Sequence, residues 1–468
     1  MISNGPEDWL AEAAARTPER PALLGGGAPL NFARLDRAVG DIAQSLIAAG
    51  LEPGRPAGAA LSSAQTLLVT ILAAFRAGIP IFPVDARLPA DAIMARLGVA
   101  GIEAAISDQD LPLRLIPPPM PGRAPGVPPH AAPLTAVRLI VATSGSTAQP
   151  KGVMLTGANL TAAVMASNAR IPLTPDDCWL CCMPLHSVGG LSIPLRCLKA
   201  GAACLLFERF DAPRVMRALA EGSVTHVSLV PAMLAALLDL DIPPAPNLRA
   251  VLIGGAALSP ALAERAARAG WPLLPSYGMS ETASQAATHT DGLAAWRPGL
   301  AGRPLPGLKI ALSPSGRVRL KGAAVMAGYA NPALRPGDGL DAEGWFESSD
   351  LGRIDSEGRL EILGRADEVL ISGGVNIHPQ EVEKLAAACP GIRALAVTGR
   401  EDSVWGSRLV LVFSGSAEPG AVLDWCRDAL PSSLRPREAV RVENLPELPS
   451  GKLDRAALRR LIARPAAS

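Results

Sequence analysis

Residues 139–152 read LIVATSGSTAQPKG. The apolar run RLIVA at 138–142 predicts a strand that feeds a loop of small and hydroxylated residues, Thr143, Ser144, Gly145, Ser146 and Thr147, followed by Lys151 and Gly152. Small residues let backbone N–H groups approach anionic oxygens, hydroxyls add donors, and the lysine adds positive charge. That chemistry suits the phosphates of a nucleotide. Composition alone leaves a plain serine-rich surface loop equally open. The spacing is not that of a Walker A loop, in which Gly-Lys is followed by a Ser or Thr whose hydroxyl sits on magnesium. Here Pro150 precedes the lysine and Gly152 follows it, which disfavours a kinase-like or ATPase-like phosphate loop.

Outward from this loop, helical and strand patterns alternate. Residues 33–49 recur apolar at three and four and predict an amphipathic helix stopped by Gly50. Residues 66–77 predict a second helix ended by Gly78, and Ile79–Val84 a strand. The uncharged stretch between Arg55 and Arg76 contains Pro56, Gly58, Ser62, Ser63, Gln65 and Thr66, and reads as a buried core helix, not a membrane span. Residues 116–133 are proline-rich and predict an extended surface connection. After the loop, a helix is expected at 159–168. Strands are expected at 178–183, 202–207, 225–230 and 249–253, and helices at 212–221, 231–239 and 260–269. This alternation gives an α/β fold with mixed, mostly parallel sheets flanked by helices. Beyond Pro304, short strands and Gly-rich turns mark a small β subdomain to about residue 363, and a compact α+β domain follows. The expected division is a large N-terminal domain over 1–364 and a small C-terminal domain over 365–468.

Composition narrows the function classes. Lys plus Arg number 44 and Asp plus Glu 43, so the net charge of +1 removes the electrostatic motive for binding nucleic acid or an anionic membrane. An apolar fraction of 49% supports a sizeable core and excludes global disorder. The cysteines number 7, an odd count in a long chain, and MISNGPEDWL lacks the basic-then-apolar order of a secretory signal. Both point to a reducing, cytoplasmic location. Cys178, Cys181 and Cys182 suggest a metal cluster, but it would need further ligands at suitable spacing, and strand alternation turns Cys181 away from the other two.

Further segments accompany the loop in a fixed order. They are FRAGIPIFPVD at 75–85, PSYGMSE at 275–281, SSDLG at 348–352, GRADEVLISGGVNIHPQEVE at 364–383 and PSGKLDR at 449–455. Together, over about residues 8–456, they resemble the adenylate-forming superfamily of acyl-CoA synthetases, peptide-synthetase adenylation domains and luciferases. The chain departs from the family pattern at Ala148, where a second glycine is usual, at Ser280 for threonine, and at Ser349 for glycine.

The resemblance implies an AMP-forming acid–thiol ligase that uses ATP, Mg2+ and coenzyme A, with a small-molecule carboxylic acid as substrate. In the nucleotide site it implies the loop residues Thr143 to Thr147 and Lys151, together with Gly255, Ala256, Ser276, Tyr277, Gly278, Ser280, Asp350 and Arg365. Tyr277 would offer an aromatic face to adenine. Glu281 would hold magnesium through a hard carboxylate oxygen. Asp350 would accept from ribose hydroxyls, and Arg365 would reach the ribose or a phosphate with its planar fork. Lys452 would neutralise charge as the carboxylate attacks the α-phosphate. His186, in PLHSVGG, would line the acyl pocket. The small domain would be mobile and rotate near Asp367, bringing Ser372, Gly373 and Gly374 to the thiol's path.

Each assignment has a plainer counterpart: a core tyrosine, a surface glutamate, a turn at Gly254–Ala256, a structural histidine, a solvated lysine. The ordered set favours the functional reading. The phrases SYGMSETASQ and PLHSVGGLSI look most like o-succinylbenzoate–CoA ligases, with benzoate-type ligases close behind. Another small or medium acyl acid stays open, as does a stand-alone adenylation domain loading a carrier protein. A homodimer stays open as an assembly.

Overall fold

The computed structural model describes residues 8–118, 132–143, 151–372, 375–402, 406–447 and 453–463. Ser144, Gly145, Ser146, Thr147, Gly373, Gly374 and Lys452 lie outside the described residues, as does most of the proline-rich connection. The fold is mixed α/β. Among the described residues one sheet has seven strands, in the order Gly328–Tyr329, Gly152–Thr156, Val137–Ala142, Ile81–Pro83, Ala57–Ala60, Ala104–Ser107 and Arg114–Ile116. The strand that opens the decisive loop pairs antiparallel with Gly152–Thr156, with Ala142 opposite Gly152. The Thr143 N–H donates to the Lys151 carbonyl at 2.8 Å. The loop is thus pinched at its base by a hairpin stem, and helix Gly157–Arg170 begins only after the return strand.

The stretch between Arg55 and Arg76, expected to be one buried helix, is strand Ala57–Ala60 followed by helix Ala64–Arg76. The Ser63 hydroxyl caps that helix by accepting from Thr66 N–H. Pro56, Gly58 and Ser62 are poor helix interior residues, and the hydroxyl cap competes with helix propagation. Helix Phe32–Ala48 packs its Leu35, Val39, Ile42 and Leu46 inward and lies against helix Ala64–Arg76. Arg76, only 9% exposed at its side chain, ends the second helix and pairs with Asp8 at 2.7 Å and Asp36 at 2.5 Å.

The second sheet has thirteen strands among the described residues. Its parallel part runs through Pro21–Leu24, Ala203–Leu206, Cys178–Cys181, His226–Leu229, Ala250–Ile253 and Leu273–Tyr277. The central strands are buried throughout; Cys178–Cys181 and Ala250–Ile253 read as continuous apolar runs, while His226–Leu229 also buries His226 and Ser228. At Leu273–Tyr277 the sheet turns antiparallel, through Ala287–Thr288, Leu300–Pro304, Leu360–Arg365 and Phe346–Ile354. The short strands expected between Pro304 and about residue 363 therefore continue the main sheet, except Gly328–Tyr329, which joins the seven-stranded one. Asp350 lies opposite Arg365 in the last pair. Its turn is locked by Asp355, whose carboxylate accepts from Glu357 N at 3.0 Å, Arg359 N at 2.9 Å and Arg297 Nη2 at 3.0 Å.

A five-stranded sheet gathers Val375–Ile377, Leu370–Ser372, Gly406–Gly415, Ile392–Asp402 and Glu438–Arg441. It has its own core of Ile377, Val382, Val397, Leu411, Phe413 and Cys426, which is what a separately folding small domain requires.

Candidate active site

Leu273–Tyr277 ends at the sheet's change from parallel to antiparallel, and the chain then turns sharply. A Cβ at Gly278 would lie 1.7 Å from the Ser284 carbonyl oxygen, so only glycine fits there. Ser280–Thr282 form one 3-10 turn, and Ala283 and Ser284 take positive φ values of 50° and 113°. Non-glycine residues in that region carry strain, which concentrates at sites where the surroundings over-determine the backbone. The turn carries Glu281 beneath the end of the strand.

Tyr277 Oη donates to Asp350 Oδ2 at 2.7 Å. The other Asp350 oxygen is 3.7 Å from Arg365 Nη1. Arg365 spends its fork on Asp367, with Nε–Oδ1 at 2.8 Å and Nη2–Oδ2 at 2.6 Å, and that pairing raises its pKa. Side chains from three distant segments of the main sheet thus meet. Burial pushes the Tyr277 phenol well up, helped by the Asp350 charge. Burial also raises Glu281, and Asp350 adds to it; Tyr329 and Lys151 partly offset the shift. Two carboxylates within Coulomb reach of each other, both drawn from water, favour a cation between them. Magnesium takes one or two protein carboxylates and completes its shell with phosphate oxygens and water, so Glu281 fits that ion's needs.

The other expected residues fall around this cluster. Gly255 and Ala256 follow strand Ala250–Ile253, and the neighbouring Gly254 packs so closely that a Cβ would lie 2.8 Å from Ser276 Oγ. That hydroxyl donates to the Ile253 carbonyl at 3.0 Å. Lys151 stands at the loop's return, with Nζ 4.7 Å from the centre of the Tyr329 ring. His186 faces a different set of charges: its Nε2 is 4.0 Å from Asp85 Oδ2, and Asp85 is itself held in a fork by Arg87. Burial lowers the His186 pKa despite Asp85. Ser372 is buried in the small five-stranded sheet, opposite Val375 and Gly406, and is not brought to the Tyr277 cluster.

Two residues at this site escaped the sequence reading. Tyr329 donates to Glu281 Oε1 at 2.9 Å. The signal was scarcity: the chain has 2 tyrosines, and both bind a carboxylate of the cluster. Arg196 lies on helix Val188–Ala200, 2% exposed, beside a cavity of about 10 Å³ lined by Leu191, Leu195 and Ala283. Its Nη2 donates to Ser284 Oγ at 3.2 Å, its guanidinium lies 5.4 Å from the Trp179 ring centre, and its Nε has no partner among the described residues. Burial lowers its pKa to about 10. The signal was a lone charge inside the apolar run VGGLSIPLRCL.

Known proteins resemble this chain over nearly its whole length. The AMP-binding enzyme family matches residues 10–330, and the AMP-binding enzyme C-terminal domain matches residues 381–452. The 2-succinylbenzoate–CoA ligase of Bacillus cereus (strain ATCC 14579) is 31% identical, over 97% of this chain and 98% of its own. The o-succinylbenzoate CoA synthetase of Bacillus subtilis, solved with the acyl-adenylate intermediate OSB-AMP, superposes with a TM-score of 0.87 at 28% identity, covering 98% of each chain. The same enzyme with ATP and a magnesium ion gives 0.86 at 27% identity, covering 98% of this chain and 99% of that one. ATP-bound MatB from Rhodopseudomonas palustris shares the fold, with a TM-score of 0.86 at 23% identity, covering 97% of this chain and 98% of that one. With a family match over most of its length and a relative aligned nearly end to end, the chain belongs to the AMP-binding enzyme family.

Proposed function

We propose that the chain is an ATP-dependent acid–thiol ligase that forms an acyl adenylate and then an acyl-CoA thioester. The observation that carries this reading is the meeting of Tyr277, Glu281, Asp350 and Arg365, with Lys151 nearby. In the first half-reaction a substrate carboxylate oxygen attacks the α-phosphorus, the bond to the bridging oxygen breaks, and pyrophosphate leaves. In the second, the coenzyme A thiol loses its proton, its sulfur bonds the acyl carbon, and AMP departs with the carboxyl oxygen. Tyr277 offers adenine a flat face, and Asp350 accepts from the ribose. Lys151 and the loop from Thr143 to Thr147 hold the phosphates. Magnesium on Glu281, when bound, neutralises phosphate charge. Lys452 supplies the mobile cation for the first step, and rotation of the small domain near Asp367 brings Ser372, Gly373 and Gly374 to the thiol in the second.

We assign the substrate to aromatic acids that carry a second anionic group, in the manner of o-succinylbenzoate. Two ligases this chain resembles are named for that acid. Arg196 supports the assignment: among the described residues it has no ion-pair partner, and it is tied through Ser284 to the Glu281 turn. A buried guanidinium without a counter-ion is costly unless a ligand supplies the anion. We place the enzyme in the cytoplasm, a location supported by seven cysteines that all remain free thiols. Among the described residues no helix is long and apolar enough to cross a membrane.

The test is pyrophosphate release from ATP against a panel of carboxylic acids, with and without coenzyme A. A keto-diacid such as o-succinylbenzoate should be the best substrate, and AMP should accompany the pyrophosphate. Lys452→Ala should slow adenylation by about 10²–10³-fold, the usual loss on removing one transition-state donor. Release of ADP, or a thioester formed only on a carrier protein, would overturn the assignment.

A further inference from the structure

Tyr329 occupies a short strand, Gly328–Tyr329, at the edge of the seven-stranded sheet. The strand is paired to the return arm of the phosphate loop, with Tyr329 opposite Val153 and Gly328 opposite Met154. Ala330 N–H bonds the Gly152 carbonyl at 2.6 Å, and Tyr329 N–H bonds the Asp338 carbonyl at 2.9 Å. The tyrosine backbone is therefore fixed to the strand that begins one residue after Lys151. The Glu281 turn is tied to the same segment, since Met326 N–H donates to the Glu281 carbonyl at 2.8 Å. From this position the side chain makes two contacts with the site. Its hydroxyl donates to Glu281 Oε1 at 2.9 Å, and its ring faces Lys151 Nζ at 4.7 Å from the centroid.

A free glutamate side chain rotates about its terminal torsion, and its two oxygens are equivalent. A hydrogen bond to Oε1 fixes the carboxylate plane and leaves Oε2 to face a cation. A lysine ammonium has three rotatable donors on a flexible stem. An aromatic face within about 6 Å gives it a preferred seat before any phosphate arrives. We propose that Tyr329 is a positioning residue for the adenylation site, its hydroxyl aiming the Glu281 carboxylate and its ring seating the Lys151 ammonium. The inference rests on the functional reading above, in which these two groups meet magnesium and phosphate. The hydroxyl and the ring serve different partners, so the two roles separate by substitution.

Tyr329→Phe keeps the ring and removes the hydroxyl. Tyr329→Leu removes both. The readout is equilibrium ATP binding to the whole chain, followed by calorimetry with and without magnesium and needing no turnover. Thermal unfolding of each variant is recorded alongside. For Tyr329→Phe, magnesium-free ATP affinity should match the wild type, while the magnesium concentration for half-maximal tightening rises about tenfold, as expected when a partner of a metal-binding carboxylate is lost. For Tyr329→Leu, magnesium-free affinity should also fall, by about three- to fivefold, the size of a lost cation–π contact. An unchanged magnesium requirement in Tyr329→Phe overturns the proposal, whether or not Tyr329→Leu folds. So does a fall in magnesium-free affinity of equal size in both variants. A wild type that binds no ATP would overturn the functional reading and this inference together, whereas wild-type binding with an indifferent Tyr329→Phe overturns this inference alone.

Discussion

Arg76 and Arg196 are both withdrawn from water near the ends of long helices, yet their surroundings differ. Arg76 has Asp8 and Asp36 on its fork and the Asp36 carbonyl as a third acceptor. The protein supplies its whole shell, and the pairing raises its pKa in spite of burial. Among the described residues Arg196 has one serine hydroxyl, one indole face and an orphan Nε, and burial lowers its pKa. A completed shell marks a residue that holds the fold together. An incomplete one leaves a donor for a partner from outside the chain, a ligand or a water, to satisfy.

The largest expected effect tests the open shell. Arg196→Met should raise KM for a two-acid substrate by about 100-fold, the scale set by removing one member of a buried charge pair. Its thermal midpoint should stay level or rise, since a lone buried charge is removed. A large loss of stability with KM unchanged would place Arg196 in the same class as Arg76. Arg76→Met should do the reverse. It strands two partly exposed carboxylates and should cost about 2–3 kcal/mol in denaturant unfolding, with KM for the acid unmoved.

A pH effect of similar size sharpens the contrast through a shared ring. Trp179 neighbours both Arg196 and His226, its ring centre 5.1 Å from the imidazole. Burial lowers the His226 pKa to about 4. The unfolded chain, with an ordinary value near 6.5, binds the proton more readily, so stability is lost as pH falls from about 6.5 towards about 4. The loss should approach about 2–3 kcal/mol and be smaller in His226→Gln, measured by urea unfolding across that window. Identical profiles for the two proteins would show that His226 is not the titrating group.

The sequence was readable where local chemistry and fold agreed. The helix over 33–49, the parallel strands between 178 and 253 and the Tyr277–Glu281 turn follow from periodicity, glycine stops and one motif. Their partners were hidden because they depend on sheet topology. No local pattern tells that Tyr329 pairs with the loop's return strand. Nor does any reveal that Arg365 gives its fork to Asp367, two residues on. The stretch after Arg55 was misjudged because apolar runs of a strand and a helix look alike when both are fully buried. Arg196 escaped the sequence reading although it is a lone charge in an apolar run, and whether its counter-ion lies in the chain requires the packed structure.

The hairpin locked by Asp355 acts as a ruler. Asp350 and Arg365 face one another because the turn between their strands has a fixed length, held by a carboxylate that accepts from backbone at two points and from Arg297. Side chains alternate faces along a strand, so a single inserted or deleted residue in that turn would exchange inward for outward along one arm. The facing of Asp350 and Arg365 would then be lost with both residues intact. In this family member, drift in loop length near residues 355–359 should be far less tolerated than substitution there.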